Sequence, residues 1–325
     1  MDLLDLIKEK IKVFLDTEQL QGLESVIHHI EISEKHFTKA KNSGDDYLFT
    51  DVIYRTNHAF EGILKEAYAI LTGKDPSRIT PFKIEKYLDE NKILKDRVLN
   101  LFTNYRTEWR NKSTHDYQLF FTEQEAFLAV VTICAFINIM LDQMIERSAY
   151  EKEKAKTDLV SSSIKSSISD YDDISLFEQA IQLLMKFSSE LISKNRDVEK
   201  FREVEAIGML SAFINSVDPD IDLKTEVRLP FPNKMLIADL VLEKSDEKVI
   251  IELKRSGFKG VGLQAGEDQL FTYLSAAKIR KGILFFLPSG DATRMQEKIL
   301  TRQIGKIKQE ICRIYPYEAT APTKS

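Results

Sequence analysis

The chain reads as two domains in series, an all-α helical bundle followed by an α/β domain whose central sheet is covered by helices. Three observations predict this. From the start to about Glu146, apolar residues recur at helical spacing and no convincing alternating strand interrupts them. A run rich in Ser, Lys and Asp, poor in large apolar residues, then extends from Arg147 to about Ser175. Beyond it the order becomes helix, three strands, helix, strand. The boundaries so drawn are 1–146 for the bundle, 147–175 for a flexible or weakly helical linker, and 176–325 for the α/β domain. A length of 325 residues suits two domains better than one.

In chain order, Leu3, Leu4, Ile7, Ile11 and Leu15 mark the first helical stripe. Phe60, Ile63, Leu64, Ala67, Tyr68 and Leu71 mark another, ended by Gly73, with Pro76 and Pro81 punctuating the connection after it. Pro81–Leu88 and Ile93–Thr107 follow as further helices. The most apolar run, Ala126 to Leu141, is shorter than the roughly 20 residues a bilayer requires. It also contains Asn138 and is flanked by Glu123, Glu125 and Asp142, so it reads as the buried central helix of the bundle. After the linker, helices are expected over Leu176–Lys194 and Asp197–Val217. Strands are expected over Lys224–Leu229, Met235–Glu243 and Lys248–Lys254, a helix over Glu267–Ile279, and a buried strand over Lys281–Leu287. The short link Lys244-Ser245-Asp246-Glu247 predicts antiparallel pairing of the second and third strands.

Composition narrows the function. A net charge of -5 excludes nucleic-acid binding through an overall basic balance, leaving a local basic surface or metal ions that offset carboxylates at the phosphate. Cys134 and Cys312 each lie in an apolar stretch, which argues against a disulfide framework or a Cys-based zinc site and for a reducing cytosol. The opening Met-Asp-Leu-Leu-Asp-Leu-Ile-Lys lacks the basic region of a signal peptide. A cytoplasmic protein without a membrane partner is expected.

The third strand reads Val249-Ile250-Ile251-Glu252-Leu253-Lys254-Arg255. Alternation puts Glu252 and Lys254 on one face at the end of an apolar run, and the preceding strand carries Asp239. Paired through the short link, Asp239 and Glu252 come close together in apolar surroundings. Two carboxylates and an ammonium there are costly unless they bind something. Hard oxygen ligands suit Mg²⁺ or Mn²⁺, which can acidify a bound water and neutralise charge at a scissile phosphate; a neighbouring lysine can orient that water.

With Asp239 on one strand and Glu252-Leu253-Lys254 on the next, the segment from about Val198 to Leu287 resembles the PD-(D/E)xK restriction-endonuclease-like superfamily. Ala238 stands where the motif's Pro would be. The resemblance implies an αβββαβ core with a mixed sheet flanked by helices, metal ligation by Asp239 and Glu252, and catalysis with Lys254. It further implies a third metal-ligating Glu on the helix before the sheet, for which Glu203 fits best and Glu205 is the alternative, and a Gln and Tyr on the next helix, matched by Gln269 in the catalytic set and Tyr273 as a nucleic-acid contact. A bare Glu-x-Lys is uninformative, since Glu90-Asn91-Lys92 is another; the combination carries the specificity. Arg255 and Lys259, among glycines 257, 260, 262 and 266, are candidate contacts to a nucleic-acid backbone through a mobile loop.

The helical half offers a second constellation in Arg110-Asn111-Lys112-Ser113-Thr114-His115, just before the long apolar helix. His can exchange protons with a ribose 2′-hydroxyl or a leaving oxygen and Arg can hold a phosphate, with Asn111 beside them. The Arg-x4-His element, together with His58-Ala-Phe-Glu-Gly-Ile-Leu-Lys upstream, resembles the HEPN superfamily over roughly 30–146. That resemblance implies pairing into homodimers and RNA cleavage without metal. Trp109 reads as a packing residue, and His28, His29, His36 and His58 lack metal-ligand spacing.

Together these resemblances imply a metal-dependent DNA endonuclease carrying a dimerising or ribonucleolytic HEPN-like domain, with DNA and possibly RNA as partners. The activating signal stays open, and prokaryotic defence against phages or plasmids is the implied role. A metal-independent ribonuclease effector and a non-catalytic nucleic-acid-binding adaptor are the alternatives.

Overall fold

The computed structural model describes residues 2–15, 17–115, 120–194, 201–232, 234–255, 261–288 and 292–317, with the backbone alone at 114, 115, 234 and 261. The chain divides into two units, Met1–Ser148 and Ala149–Ser325.

The described part of the first unit is helical: α1 (Leu3–Ile11), α2 (Leu20–Ser43), α3 (Tyr47–Thr72), α4 (Pro81–Glu90), α5 (Asp96–Tyr105), a π-helical turn (Arg106–Arg110) and α6 (Asn111–His115). A long helix, α7, then runs from Glu123 to Thr157. Gly73 closes α3 at φ 68°, a conformation that costs glycine nothing, and its N–H donates to Ala69. Phe60 stacks on Tyr105 and Phe102 and meets Phe136 of α7, with centroids 4.8 to 5.7 Å apart. Thr122 and Glu125 cap the start of α7 reciprocally.

Among the described residues α7 is the one helix apolar and long enough to cross a membrane. One face matches the expected buried helix, with Ala126, Ile133, Phe136, Ile137 and Met140 inside. Phe127, Leu128 and Val131 are exposed, so the helix is not buried all round.

The stretch expected as a linker is largely helical. α7 continues to Thr157, α8 spans Ser161–Ser166, and Ile168 and Tyr171 are buried in the second unit's core. Two apolar side chains in a Ser/Asp-rich run give no periodicity, yet they anchor the segment. The Tyr171 hydroxyl donates to Asp218 (2.9 Å), which also accepts from Lys244 (2.6 Å), while Gln179 donates to the Tyr171 carbonyl (2.7 Å).

The second unit continues with α9 (Leu176–Ser193), α10 (Glu203–Val217), β1 (Asp222–Phe231), β2 (Lys234–Lys244), β3 (Glu247–Lys254), α11 (Val261–Ala277), β4 (Lys281–Phe286), β5 (Met295–Ile304) and β6 (Ile307–Pro316). The reciprocal bonds of Ser175 and Glu178 start α9. One mixed sheet has the order β1-β2-β3-β4-β6-β5. β3, β4 and β6 run parallel, while β1–β2, β2–β3 and β5–β6 are antiparallel, the second pair as the short link predicts. Leu183, Phe187 and Leu210 of α9 and α10 share one core with Leu240, Leu242, Val249 and Ile251. Leu270 and Leu274 of α11 share another with Val241, Ile250 and Leu284. Near-continuous apolar runs in β3 and β4 are what strands covered on both faces require.

Some boundaries differ from expectation. α10 begins at Glu203, and 195–200, where an earlier start was expected, lie outside the described residues. α11 begins at Val261 rather than Glu267, so Gly262 and Gly266, read as loop glycines, are helical. Lys259, Gly257 and Gly260 lie outside the described residues. The β5–β6 hairpin was not anticipated, because charged residues break its alternation. Its signal was Gly305, which takes φ 59° in the turn between Ile304 and Ile307.

Candidate active site

The second-unit constellation forms where β2 and β3 stop pairing. Their ladder ends at Leu240 opposite Ile251, so the next positions along are Asp239 and Glu252. The Leu253 N–H donates 2.7 Å to Asp239 Oδ2, a side chain taking the role of a ladder acceptor. Glu252 is 2 % exposed on the α11 side of the sheet. Its Oε1 accepts from Lys254 Nζ at 2.8 Å and from Gln269 Nε2 at 2.9 Å. The same amide donates to the Tyr273 hydroxyl at 2.7 Å. Glu252 Oε2 is buried and has no hydrogen-bond partner.

The electrostatics follow from burial. Desolvation and then the Glu252 charge push Asp239 up to about 7, against the opposing pull of the Leu253 N–H. Burial also raises Glu252 above the usual carboxylate range, although its bond to Lys254 works the other way. For Lys254, burial lowers the pKa, but the hydrogen bond to Glu252 and the fields of Glu252, Asp239 and Glu203 outweigh it and leave the ammonium more basic than usual. Two carboxylates raised by burial, one with an orphaned buried oxygen, form a donor set whose hard oxygens fit Mg²⁺ or Mn²⁺.

Glu203, at the first residue of α10, raises both Asp239 and Glu252 through its charge. Glu205 is engaged differently, its carboxylate accepting from the Arg202 N–H at 3.3 Å as a helix cap. Between the two, Glu203 is the residue the pair feels. Among the described residues no three His, Cys, Asp or Glu side chains gather closely enough to hold a metal, so the expected third ligand stands at electrostatic range rather than in contact.

Two expected nucleic-acid contacts are placed otherwise. Tyr273 is 7 % exposed, its ring in the α11-side core and its hydroxyl spent on Gln269. Arg255 is exposed, and its guanidinium donates to the Phe201 carbonyl just ahead of α10. It ties the end of β3 to the helix that carries Glu203.

In the first unit, Arg110 closes the π-helical turn and is mostly buried. Its guanidinium lies 3.7 Å from Glu61 of α3 and donates to Asn111 at 3.2 Å. Burial raises Glu85 of α4, with Arg110 and Arg106 pulling against it. Ser113 accepts from Asn57 at 2.7 Å, and Asn57 in turn accepts from Tyr105, so the segment is pinned to α3. Glu61 was not singled out from the sequence, although it lies in the helical stripe of α3. His115 ends α6, and its side chain lies outside the described residues. Trp109 packs on Phe121 as a packing residue should. His29 and His58 stack at 5.1 Å, and Cys134 and Cys312 are buried and free.

No family model matches the chain, and a search of curated proteins finds no match.

Proposed function

We propose that the protein is a metal-dependent nuclease whose chemistry runs at Asp239, Glu252 and Lys254. One observation carries this reading: the two carboxylates sit at the mouth of a strand separation, Glu252 buried and Asp239 partly so, both raised in pKa and with one Glu252 oxygen unpartnered. Such a site is destabilising unless a cation occupies it. The order α10-β1-β2-β3-α11-β4 supports the resemblance to the PD-(D/E)xK superfamily. Asp239 and Glu252 would hold Mg²⁺ or Mn²⁺, which when bound supplies Lewis acidity and a lowered water pKa. Lys254, fixed by Glu252, donates to the attacking water or to a phosphate oxygen. Gln269 fixes the Glu252 rotamer from α11. In the reaction, water oxygen adds to phosphorus, one P–O ester bond breaks, and the leaving oxygen takes a proton.

The test is cleavage of plasmid DNA and of single-stranded RNA by the purified protein, with Mg²⁺ or Mn²⁺ and with EDTA. DNA cut only with metal, and spared by Asp239→Ala, is the expected result. Metal-independent cutting, or cutting untouched by that substitution, refutes it.

A second reading, RNA cleavage without metal at Arg110 and His115, draws on the π-helical turn that ends at Arg110, a geometry frequent at functional sites. It expects RNA cleavage that survives EDTA and is lost in His115→Ala. We place the protein, as a homodimer in the cytoplasm, in defence against phages or plasmids. Equal resistance of host cells with and without it would remove that role.

A further inference from the structure

Asp239 sits on a rung where two strands turn over together. β1 and β2 pair from Asp222↔Glu243 to Thr225↔Leu240, and again from Val227↔Ala238 to Phe231↔Lys234. The register is unbroken, which sets Glu226 opposite Asp239. Strand alternation should put residues 238, 240 and 242 on one face. Leu240 and Leu242 do lie in the α9/α10-side core, but Ala238 lies in the α11-side core. β1 switches in the same place: Leu223 packs on the α9/α10 side, and Val227 and Leu229 on the α11 side. Between them Glu226 takes φ 51°, a left-handed conformation inside a strand at a residue that is not glycine.

The consequence lies on β3. Had β2 continued straight, Ala238 would pair with Leu253; instead the ladder stops at Leu240 and the Leu253 N–H finds the Asp239 carboxylate. The crossover at Glu226 thus falls on the rung where β2 stops pairing with β3, next to the position where Asp239 and Glu252 meet. A strained backbone at a functional site persists because its surroundings over-determine it.

The geometry points to Glu226 as a positioning residue for Asp239, acting through its left-handed backbone, so that cation affinity depends on which conformations residue 226 allows. This rests on the proposed metal site and adds a residue to it. Full-length wild type, Glu226→Gly, Glu226→Gln and Glu226→Val are titrated calorimetrically with MnCl₂ and melted without metal. Glycine adopts the left-handed region freely, so Glu226→Gly keeps Mn²⁺ affinity within about threefold and melts about 2–4 °C higher. Glu226→Gln keeps the backbone preference without the charge and also binds Mn²⁺ within about threefold. A β-branched residue resists positive φ, so Glu226→Val binds Mn²⁺ about tenfold or more weakly and loses kcat on DNA with little change in KM.

Wild-type affinity in Glu226→Val overturns the proposal. So does a loss in Glu226→Gln equal to that in Glu226→Val, because the carboxylate rather than the backbone would then be acting. If Glu226→Val does not fold, Glu226→Gly decides against Glu226→Gln, which also lacks the carboxylate, and a melting temperature below that of Glu226→Gln refutes the strain. A wild type that binds Mn²⁺ but cuts no nucleic acid defeats the nuclease reading, while the Mn²⁺ affinities still decide Glu226. A wild type that binds no Mn²⁺ overturns both.

Discussion

Without metal, Asp239 should cost the protein stability at neutral pH, and Asp239→Asn should return it. Burial and the Glu252 charge raise its carboxyl from 3.8 to about 7 in the folded state. A raised acid binds its proton more tightly in the folded chain than in the unfolded one. Stability therefore falls as pH climbs from about 4 to about 7 and stays low above that. A shift of this size corresponds to a ceiling of about 4 kcal/mol, because one pKa unit is about 1.4 kcal/mol. Local relaxation takes a share, so about 1–3 kcal/mol is expected to be recovered. Asparagine keeps an oxygen to accept from the Leu253 N–H and removes only the charge. For a unit the size of Ala149–Ser325, that is a rise of about 2–10 °C in its melting transition at about pH 8. The gain should shrink as pH falls towards 4 and vanish by about pH 3, where wild-type Asp239 is protonated in both states. Saturating Mg²⁺ should raise the wild type by about 3 kcal/mol at a hundredfold excess over Kd and leave Asp239→Asn nearly unmoved. Calorimetric melts of both proteins across pH, with and without Mg²⁺, provide the check. A variant that melts at or below wild type at pH 8 would refute the claim that the Asp239 charge is costly beside Glu252.

Lys254→Met removes the ammonium that faces Glu252; DNA cleavage should fall about a hundredfold or more in kcat, with Mn²⁺ binding retained in a calorimetric titration. Lys244→Met strips a cation from fully buried Asp218, and chemical denaturation should show a loss of about 3–5 kcal/mol. Burial alone would raise Asp218, but Lys244 and Tyr171 hold it below the usual range, so its contribution is present at neutral pH and fades as pH falls through its folded-state pKa. Acid melts of wild type should steepen there, and those of Lys244→Met should not. Gly62→Ala would set a Cβ 2.8 Å from a buried Val26 methyl across the α2–α3 contact, lowering first-unit stability by about 1–3 kcal/mol in thermal melts.

The side-chain constellation of the second unit was legible because it is local. Glu252 and Lys254 alternate on one strand, Asp239 reaches them through a two-residue turn, and Gln269 and Tyr273 are one helical turn apart. Each relation follows from a period of 2.0 or 3.6 and needs no tertiary knowledge. What stayed hidden depends on contacts between distant segments. Tyr171 looked like part of a polar linker until Asp218 and Lys244 closed on it. The bond from exposed Arg255 to the Phe201 carbonyl, which ties β3 to the start of α10, gave no signal either.

Glu226 shows why the hidden part matters for function. Glycine or asparagine at that position would have announced a left-handed residue; glutamate announces nothing. Its conformation is imposed by the two cores that β1 and β2 must serve, one on each face of the sheet. Leu223 and Leu242 are held on the α9/α10 side, and Leu229 and Ala238 on the α11 side, so a crossover has to fall between them. It falls on the rung of Asp239, and the backbone donor it strips from the β2–β3 ladder is the one that the Asp239 carboxylate then accepts. On the proposed reading, the packing that makes the strands turn supplies both the gap for a cation and the bond that orients the Asp239 carboxylate beside it.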